Sequence, residues 1–263
     1  MRASLPRPPS PLRRVLRRVR AALLAAGLAA AGWLLGSRSL RYIDSIGVFE
    51  LRHIEVRGNN ILTRAEVVAA MSLPLTGSLF AVDLPAVQKR VELLQYVYGV
   101  RVGRKFPHKL YVDIVENQPL AYVAAPEFFI LSREAAALPL PRGRFELELP
   151  SISGADSALV ALTNGTIEEH PQLRQAWELL EYIHSYFPRM YHELSEVVFT
   201  DKGGITLYMA ETSTPVRLGS EHLLRRIDTL DAFLLTLAGK RSLVDFAYID
   251  LRYHRQVVVR ERA

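Results

Sequence analysis

Cysteine is absent from all 263 residues, which excludes disulfides, thiol nucleophiles and cysteine-ligated zinc. An oxidising compartment suits such a chain. No G-x-S-x-G elbow, S-x-x-K pair or glycine-rich phosphate loop occurs. Gly203-Gly204 reads as a turn, because no helix follows it to receive an anion. The seven histidines are scattered. His184 and His192 are eight residues apart with Pro188 between them, too far for one helix face, and Tyr191-His192-Glu193 has no second carboxylate–histidine pair nearby. These absences predict no catalytic set, no metal site and no cofactor. Acid is missing from the first 20 residues, which carry seven arginines: Arg2, Arg7, Arg13, Arg14, Arg17, Arg18 and Arg20. Beyond residue 20 it is the basic surplus that is missing, with 26 Lys and Arg against 27 Asp and Glu. The formal charge of +6 therefore belongs to the tail, and the folded part lacks the basic face that nucleic-acid binding requires.

Long apolar runs are also rare, and the single strong one follows the arginines. Residues 21–37 (AALLAAGLAAAGWLLGS) are uncharged over 17 positions, near the lower limit for a spanning helix of about 20 residues. Ala21, Leu24, Leu28, Trp33 and Leu35 mark the predicted span. Flanking apolar residues extend it to about 21–43 if Arg20, Arg38 and Arg41 snorkel. Trp33 near the outer end suits an interfacial aromatic. A basic flank stays cytoplasmic, so the 226 residues after Ser37 are expected on the far side of an inner membrane. The competing reading is a cleaved signal peptide, with Ala29-Ala30-Ala31 resembling the cleavage site. Against cleavage, the apolar run continues through Trp33-Leu34-Leu35.

The chain then divides into a basic tail (1–20), the span and juxtamembrane segment (21–43), a unit over 49–118 and a larger unit over 119–263. In the first unit, Leu51 to Arg57 alternates apolar and polar residues, the period of a half-buried strand. Gly58-Asn59-Asn60 turns the chain, and Thr63-Arg64-Ala65-Glu66 has capping-box spacing for a short helix. Asp83 can cap a second helix with Pro85 in its first turn. Residues 97–102 and 110–115 read as strands joined at Phe106-Pro107-His108. The order is β-α-α-β-β. Pro119 argues against unbroken continuation of a strand. Beyond it, short strands are predicted over 120–123, 128–131, 197–200, 205–209, 246–253 and 256–260. Helices are predicted over 171–187 and over 220–238, the latter capped by Ser220 and stopped at Gly239. Residues 133–160 are loop-rich. The expected fold class is α+β: one transmembrane helix, the β-α-α-β-β unit, then a mostly antiparallel β-domain with flanking helices.

Ile54-Glu55-Val56-Arg57-Gly58-Asn59 resembles the opening of a POTRA domain, and Val100 to Ala121 (VRVGRKFPHKLYVDIVENQPLA) resembles its closing hairpin. Val216-Arg217-Leu218-Gly219 and Tyr248-Ile249-Asp250-Leu251-Arg252-Tyr253 are similar to segments of the FtsQ/DivIB bacterial cell-division family. The resemblance covers nearly the whole chain. Phe106 stands where that family often has Trp. The resemblance implies a non-enzymatic, single-pass inner-membrane scaffold enriched at the division septum, with periplasmic C-terminal domains. Its implied partners are FtsB-like and FtsL-like single-span proteins, plus upstream division proteins through the POTRA-like unit. It implies no nucleic-acid partner and no small-molecule substrate. The rival is a POTRA-bearing periplasmic chaperone or polypeptide-transport factor. That reading wants a following barrel of many alternating strands of about 10 residues, which the sequence lacks.

The resemblance places the partner surface at the last strands: Tyr248, Arg252, Tyr253, Val257, Val258 and Val259. Alternation sets Ile249, Leu251 and Tyr253 on one face and Tyr248, Asp250 and Arg252 on the other. Arg252 could clamp a partner carboxylate, and the valine strand could accept a partner strand at its edge. Alternatively, Arg252 pairs internally with Asp250 and the valines are core. In the POTRA-like unit Glu66, Arg90 and Glu92 are weak candidates, since charges on short helices usually serve solvation.

Overall fold

The computed structural model describes residues 49–262 except 75–76, 125–127, 142–146, 156–166, 168–169 and 201, together with Ala26, Gly27 and Trp33. The basic tail lies outside the described residues, as does the expected span but for those three positions. Among the described residues, no helix is long and apolar enough to cross a membrane.

The first unit has the expected β-α-α-β-β order. Strand β1 (His53–Arg57) leads to helix α1 (Arg64–Met71), then a 3₁₀ turn (Leu79–Ala81), helix α2 (Leu84–Glu92), and strands β2 (Val97–Lys105) and β3 (Lys109–Glu116). The predicted capping box forms at α1. The Thr63 hydroxyl accepts from Glu66 N at 3.2 Å, and the Glu66 carboxylate accepts from Thr63 N at 2.8 Å. Asp83 caps α2 through Ala86 N. Strand β3 is central, parallel to β1 and antiparallel to β2. Both helices cover one face of this sheet. Val67, Met71, Val87 and Val91 pack onto Leu110, Val112 and Ile114, all buried.

The second unit begins at β4 (Pro119–Val123), where Pro119 occupies the first strand position, the place in a sheet that tolerates it. The loop-rich stretch 133–160, unassigned by sequence, holds two short strands. The order continues β5 (Phe129–Ser132), β6 (Ala137–Pro139), β7 (Ser151–Ser153), α3 (Pro171–Tyr186), α4 (Pro188–Glu193), β8 (Leu194–Phe199), β9 (Ile205–Met209), β10 (Pro215–Gly219), α5 (Leu223–Leu237), β11 (Phe246–Asp250) and β12 (Val258–Glu261). These nine strands form one sheet in the order β12-β11-β10-β9-β8-β7-β4-β5-β6. The sheet is mixed: β7 is parallel to β4 and β8, β11 is parallel to β10, and the remaining neighbours are antiparallel. Parallel pairing requires crossovers, and α3 and α5 lie in two of them. Both helices bury their apolar stripes, including Leu173, Leu180, Ile183, Ile227 and Leu230, against the same core.

Two helix details differ from the expectation. Pro188 starts a new short helix, α4, because proline is favoured in a first turn. Helix α5 begins after His222 and not at Ser220. Gly219, at φ +75°, turns the chain out of β10 and delays the helix. Its predicted stop holds, with Gly239 at φ +73° just past the C-cap.

The junction between the units combines a polar hydrogen-bond network with a small buried apolar cluster. Glu116, 8 % exposed, accepts from the backbone N–H groups of Asn60, Ile61 and Leu62 at 2.9, 2.9 and 2.8 Å. Asn117 N donates to Tyr96 O at 2.8 Å. The Tyr96 ring is buried with Ile130 and Leu138 of the second unit, and its hydroxyl donates to Pro139 O. Burial pushes the Tyr96 phenol up to about 12. Arg133 completes the junction, donating to Gln118 Oε1 at 3.0 Å and twice to Glu181 of α3. Removing the Glu116 carboxylate leaves three amides of the β1–α1 loop without their acceptor. Glu116→Ala should therefore cost about 2–4 kcal/mol in chemical denaturation, whereas wild-type stability would show that the loop holds itself.

Candidate functional site

The far corner of the large sheet brings most of the predicted partner residues together. Strand β11 pairs with β10 on one side, with Val216 opposite Ile249 and Arg217 opposite Asp250. On its other side it pairs with β12, with Ile249 opposite Val259 and Asp250 opposite Val258. Phe246, Ile249 and Leu251 enter the core beneath α5, while Tyr248 and Arg217 share the opposite face.

The predicted alternation holds through Leu251. Strand β11 then ends at Asp250, earlier than expected, and the chain leaves the sheet. Tyr253, placed by the resemblance at the partner surface, is 55 % exposed. Asp250, on the face opposite Ile249, is only 3 % exposed because two arginines cover it. Arg252 donates from Nε to Oδ1 at 2.9 Å and from Nη2 to Oδ2 at 2.5 Å, and its backbone N donates to Oδ1 at 3.1 Å. Arg217 approaches Oδ2 to 4.0 Å and lies 4.6 Å over the Tyr248 ring. The internal pairing of Arg252 is thus the one present. Its Asp250 bonds hold the Asp250 carboxyl below the usual carboxylate range, against the opposing effect of burial.

A third guanidinium, which sequence reasoning missed, closes the corner. Arg226 reaches back from α5 to donate to Leu218 O, and to Arg252 O at 3.3 Å. Arg226 and Arg252 pack against Gly219, where a Cβ would sit 3.0 Å from Arg226 Nη1 and 3.1 Å from Arg252 Cγ. Nothing in local sequence ties Arg226 to Gly219 or Arg217 to Asp250. The β10–β11 register and the docking of α5 create both contacts.

The three valines divide by position. Val257 packs against the core, Val258 is half-buried, and Val259 is 37 % exposed on the last strand. Strand β12 pairs only with β11 among the described residues, so its outer edge is open. The weak candidates of the first unit are engaged in its own structure. Glu66 forms the capping box, Arg90 donates to Met71 O at 2.8 Å, and Glu92 accepts from Gln88 at 2.9 Å. Among the described residues, no group of three His, Cys, Asp or Glu side chains is placed to hold a metal ion. The corner offers an open strand edge beside exposed aromatic and cationic side chains.

Comparison with known proteins adds two family matches. The family described as "POTRA domain, FtsQ-type" matches residues 49–117. That described as "Cell division protein FtsQ/DivIB, C-terminal" matches residues 121–252, so the match stops before β12. Among similar curated proteins, "Cell division protein FtsQ" of Geotalea daltonii is 27 % identical over 251 residues, covering 95 % of this chain and 89 % of that one. Its namesake in Syntrophotalea carbinolica is 27 % identical over 212 residues, covering 81 % and 74 %. That of Geobacter sp. strain M21 is 24 % identical over 240 residues, covering 91 % and 85 %.

The Asp250–Arg252 pair carries a signed pH dependence. A carboxyl held low in the folded state contributes stability above its unfolded pKa of about 3.9, and that contribution is lost as pH falls through the lowered folded value. Arg252→Gln should lose about 1 kcal/mol at pH 7, a modest figure because the guanidinium is half exposed. The gap to wild type should narrow below about pH 4. Urea denaturation across pH checks this, and a gap independent of pH would contradict it.

Proposed function

The chain belongs to the FtsQ/DivIB family of bacterial cell-division proteins, and from that premise we propose that it is a non-enzymatic scaffold of the division machinery. One span over 21–43 holds it in the inner membrane, with the arginine tail cytoplasmic and both folded units periplasmic. It joins FtsB-like and FtsL-like single-span proteins at the septum and so helps to control septal wall synthesis. The POTRA-like unit contacts upstream division proteins.

The observation that carries this reading is the open edge of β12 at the end of a nine-stranded sheet. Unpaired backbone donors and acceptors on an edge recruit another strand, and the exposed Val259 and Tyr253 can supply the side-chain contacts. Arg252 keeps Asp250 as its main partner and offers its half-exposed outer side to the incoming segment. The chaperone or transport alternative gains no support from the fold. Among the described residues the sheet has two free ends, and its strands are shorter than the roughly 9–11 residues that cross a bilayer.

The test is binding of the detergent-solubilised full chain to the periplasmic segment of the FtsB-like protein from the same genome, followed by calorimetry. Combining Tyr253→Ala with Val259→Glu should weaken binding by about tenfold or more, near 1.4 kcal/mol, while thermal unfolding stays cooperative. Unchanged affinity in the folded variant, or no binding by wild type, would remove the β12 edge as the partner site.

A further inference from the structure

Three phenylalanines gather at the end of the first unit opposite the junction. Phe49, Phe80 and Phe106 pack on one another, with ring centroids 5.0 Å apart for Phe49–Phe80, 5.4 Å for Phe80–Phe106 and 6.0 Å for Phe49–Phe106. None of them joins the core beneath α1 and α2. Phe80 is 51 % and Phe106 57 % exposed, an aromatic patch that a folded domain otherwise hides.

The patch is held in place from three sides. Phe49 O accepts from Leu79 N, and Glu50 bridges Ser78, so the incoming chain and the 3₁₀ turn are pinned together. Arg104 of β2 donates to Leu79 O at 2.8 Å and Val82 O at 2.6 Å, fixing the turn that carries Phe80. Phe106 sits at the β2–β3 hairpin, between Lys105 and Lys109. Lys105 is 3.9 Å from Glu55, which Arg57 already holds at 2.5 Å. Arg52, next to the incoming chain, pairs with Glu50 at 3.5 Å. The hairpin end is therefore aromatic at its centre, and its rim carries more cations (Arg52, Arg57, Lys105 and Lys109) than acids (Glu50 and Glu55).

Its place in the chain says what covers it. Phe49 lies 12 residues after Ser37, the end of the apolar run, so the patch stays within about 40 Å of that point. Strand β3 starts at this end and leads away from it, which puts the large sheet at the opposite end. Exposed aromatics flanked by cations favour the headgroup layer of an anionic bilayer. We propose that Phe49, Phe80 and Phe106 dock onto the same membrane that the span crosses, with Lys105 and Lys109 against anionic headgroups. This lays the hairpin end on the lipid surface and points the junction away from it. The inference rests on the single-span reading.

The absence of cysteine allows single-site labelling of the full chain. Leu28→Cys, Phe80→Cys, Phe106→Cys and Leu93→Cys would each carry an environment-sensitive fluorophore. Leu93 is the control, 77 % exposed at the far end of α2. Each labelled chain, shown to unfold cooperatively, is reconstituted into phosphatidylcholine vesicles containing phosphatidylglycerol and a nitroxide lipid quencher. Quenching is expected at positions 28, 80 and 106 and not at 93. Omitting phosphatidylglycerol should lower it by about half at 80 and 106 and leave 28 unchanged. Quenching at 28 but not at 80 and 106 would overturn the docking and leave the span. Quenching at none would overturn both. Equal quenching at 93 and 80 would overturn a specific docking face.

Discussion

A buried carboxylate, Glu116, organises the middle of this molecule. A charge this sheltered is costly unless it is bonded, and it finds three backbone N–H donors in one loop. That loop carries the turn from β1 into α1, so Glu116 ties the last residue of the central strand to the first helix. Asn117 and Gln118 follow immediately. They bond Tyr96 and Arg133, the residues through which the first unit reaches the second. The connection is short and its polar groups are spent internally. The two sheets consequently meet through Tyr96, Ile130 and Leu138 rather than through a long linker.

From that fixed centre the two ends of the molecule point to different tasks. The hairpin end gathers aromatic rings and lysines where the chain comes from its apolar run. The other end is a sheet that stops at an unpaired strand. Helices α3 and α5 cover one face of this sheet, and that burial fixes which side chains of β10 and β11 enter the core. What they leave open is the β12 edge and the face carrying Tyr248 and Arg217.

Arginine is used here for building as much as for display. Arg104 bonds carbonyls of the 3₁₀ turn, Arg133 bridges Gln118 and Glu181, and Arg226 and Arg252 close over Gly219. A planar guanidinium can satisfy several fixed acceptors at once, which lysine cannot. With Arg252 engaged by Asp250, the groups left exposed at the corner are the main-chain edge of β12, Tyr253 and Val259. The charged pair sets the shape on which they stand.

Local sequence was enough wherever the determining contact is itself local. The Thr63–Glu66 capping box, the Asp83 cap, the Gly239 stop and the 3.6-residue stripes of α3 and α5 depend on neighbours within a few residues. The β-α-α-β-β order of the first unit follows from them. The short strands over 137–139 and 151–153 were illegible because three residues carry no period. The parallel pairings were illegible because pairing is decided by distant chain segments. Asp250 shows the boundary most plainly. Alternation set Ile249 and Leu251 on one face and Asp250 on the other, but did not say which face is buried. The Arg252 pairing, two residues away, was open to sequence as an alternative, whereas only the β10–β11 register brings Arg217 to the same carboxylate. The amino-acid sequence by itself determined the elements, the charge segregation and the absence of thiol chemistry, since these are properties of composition and short-range spacing. Tertiary structure alone decided which arginines close the corner, which edge stays open and which phenylalanines meet at the hairpin end, because each depends on residues far apart in sequence being brought within a few ångströms.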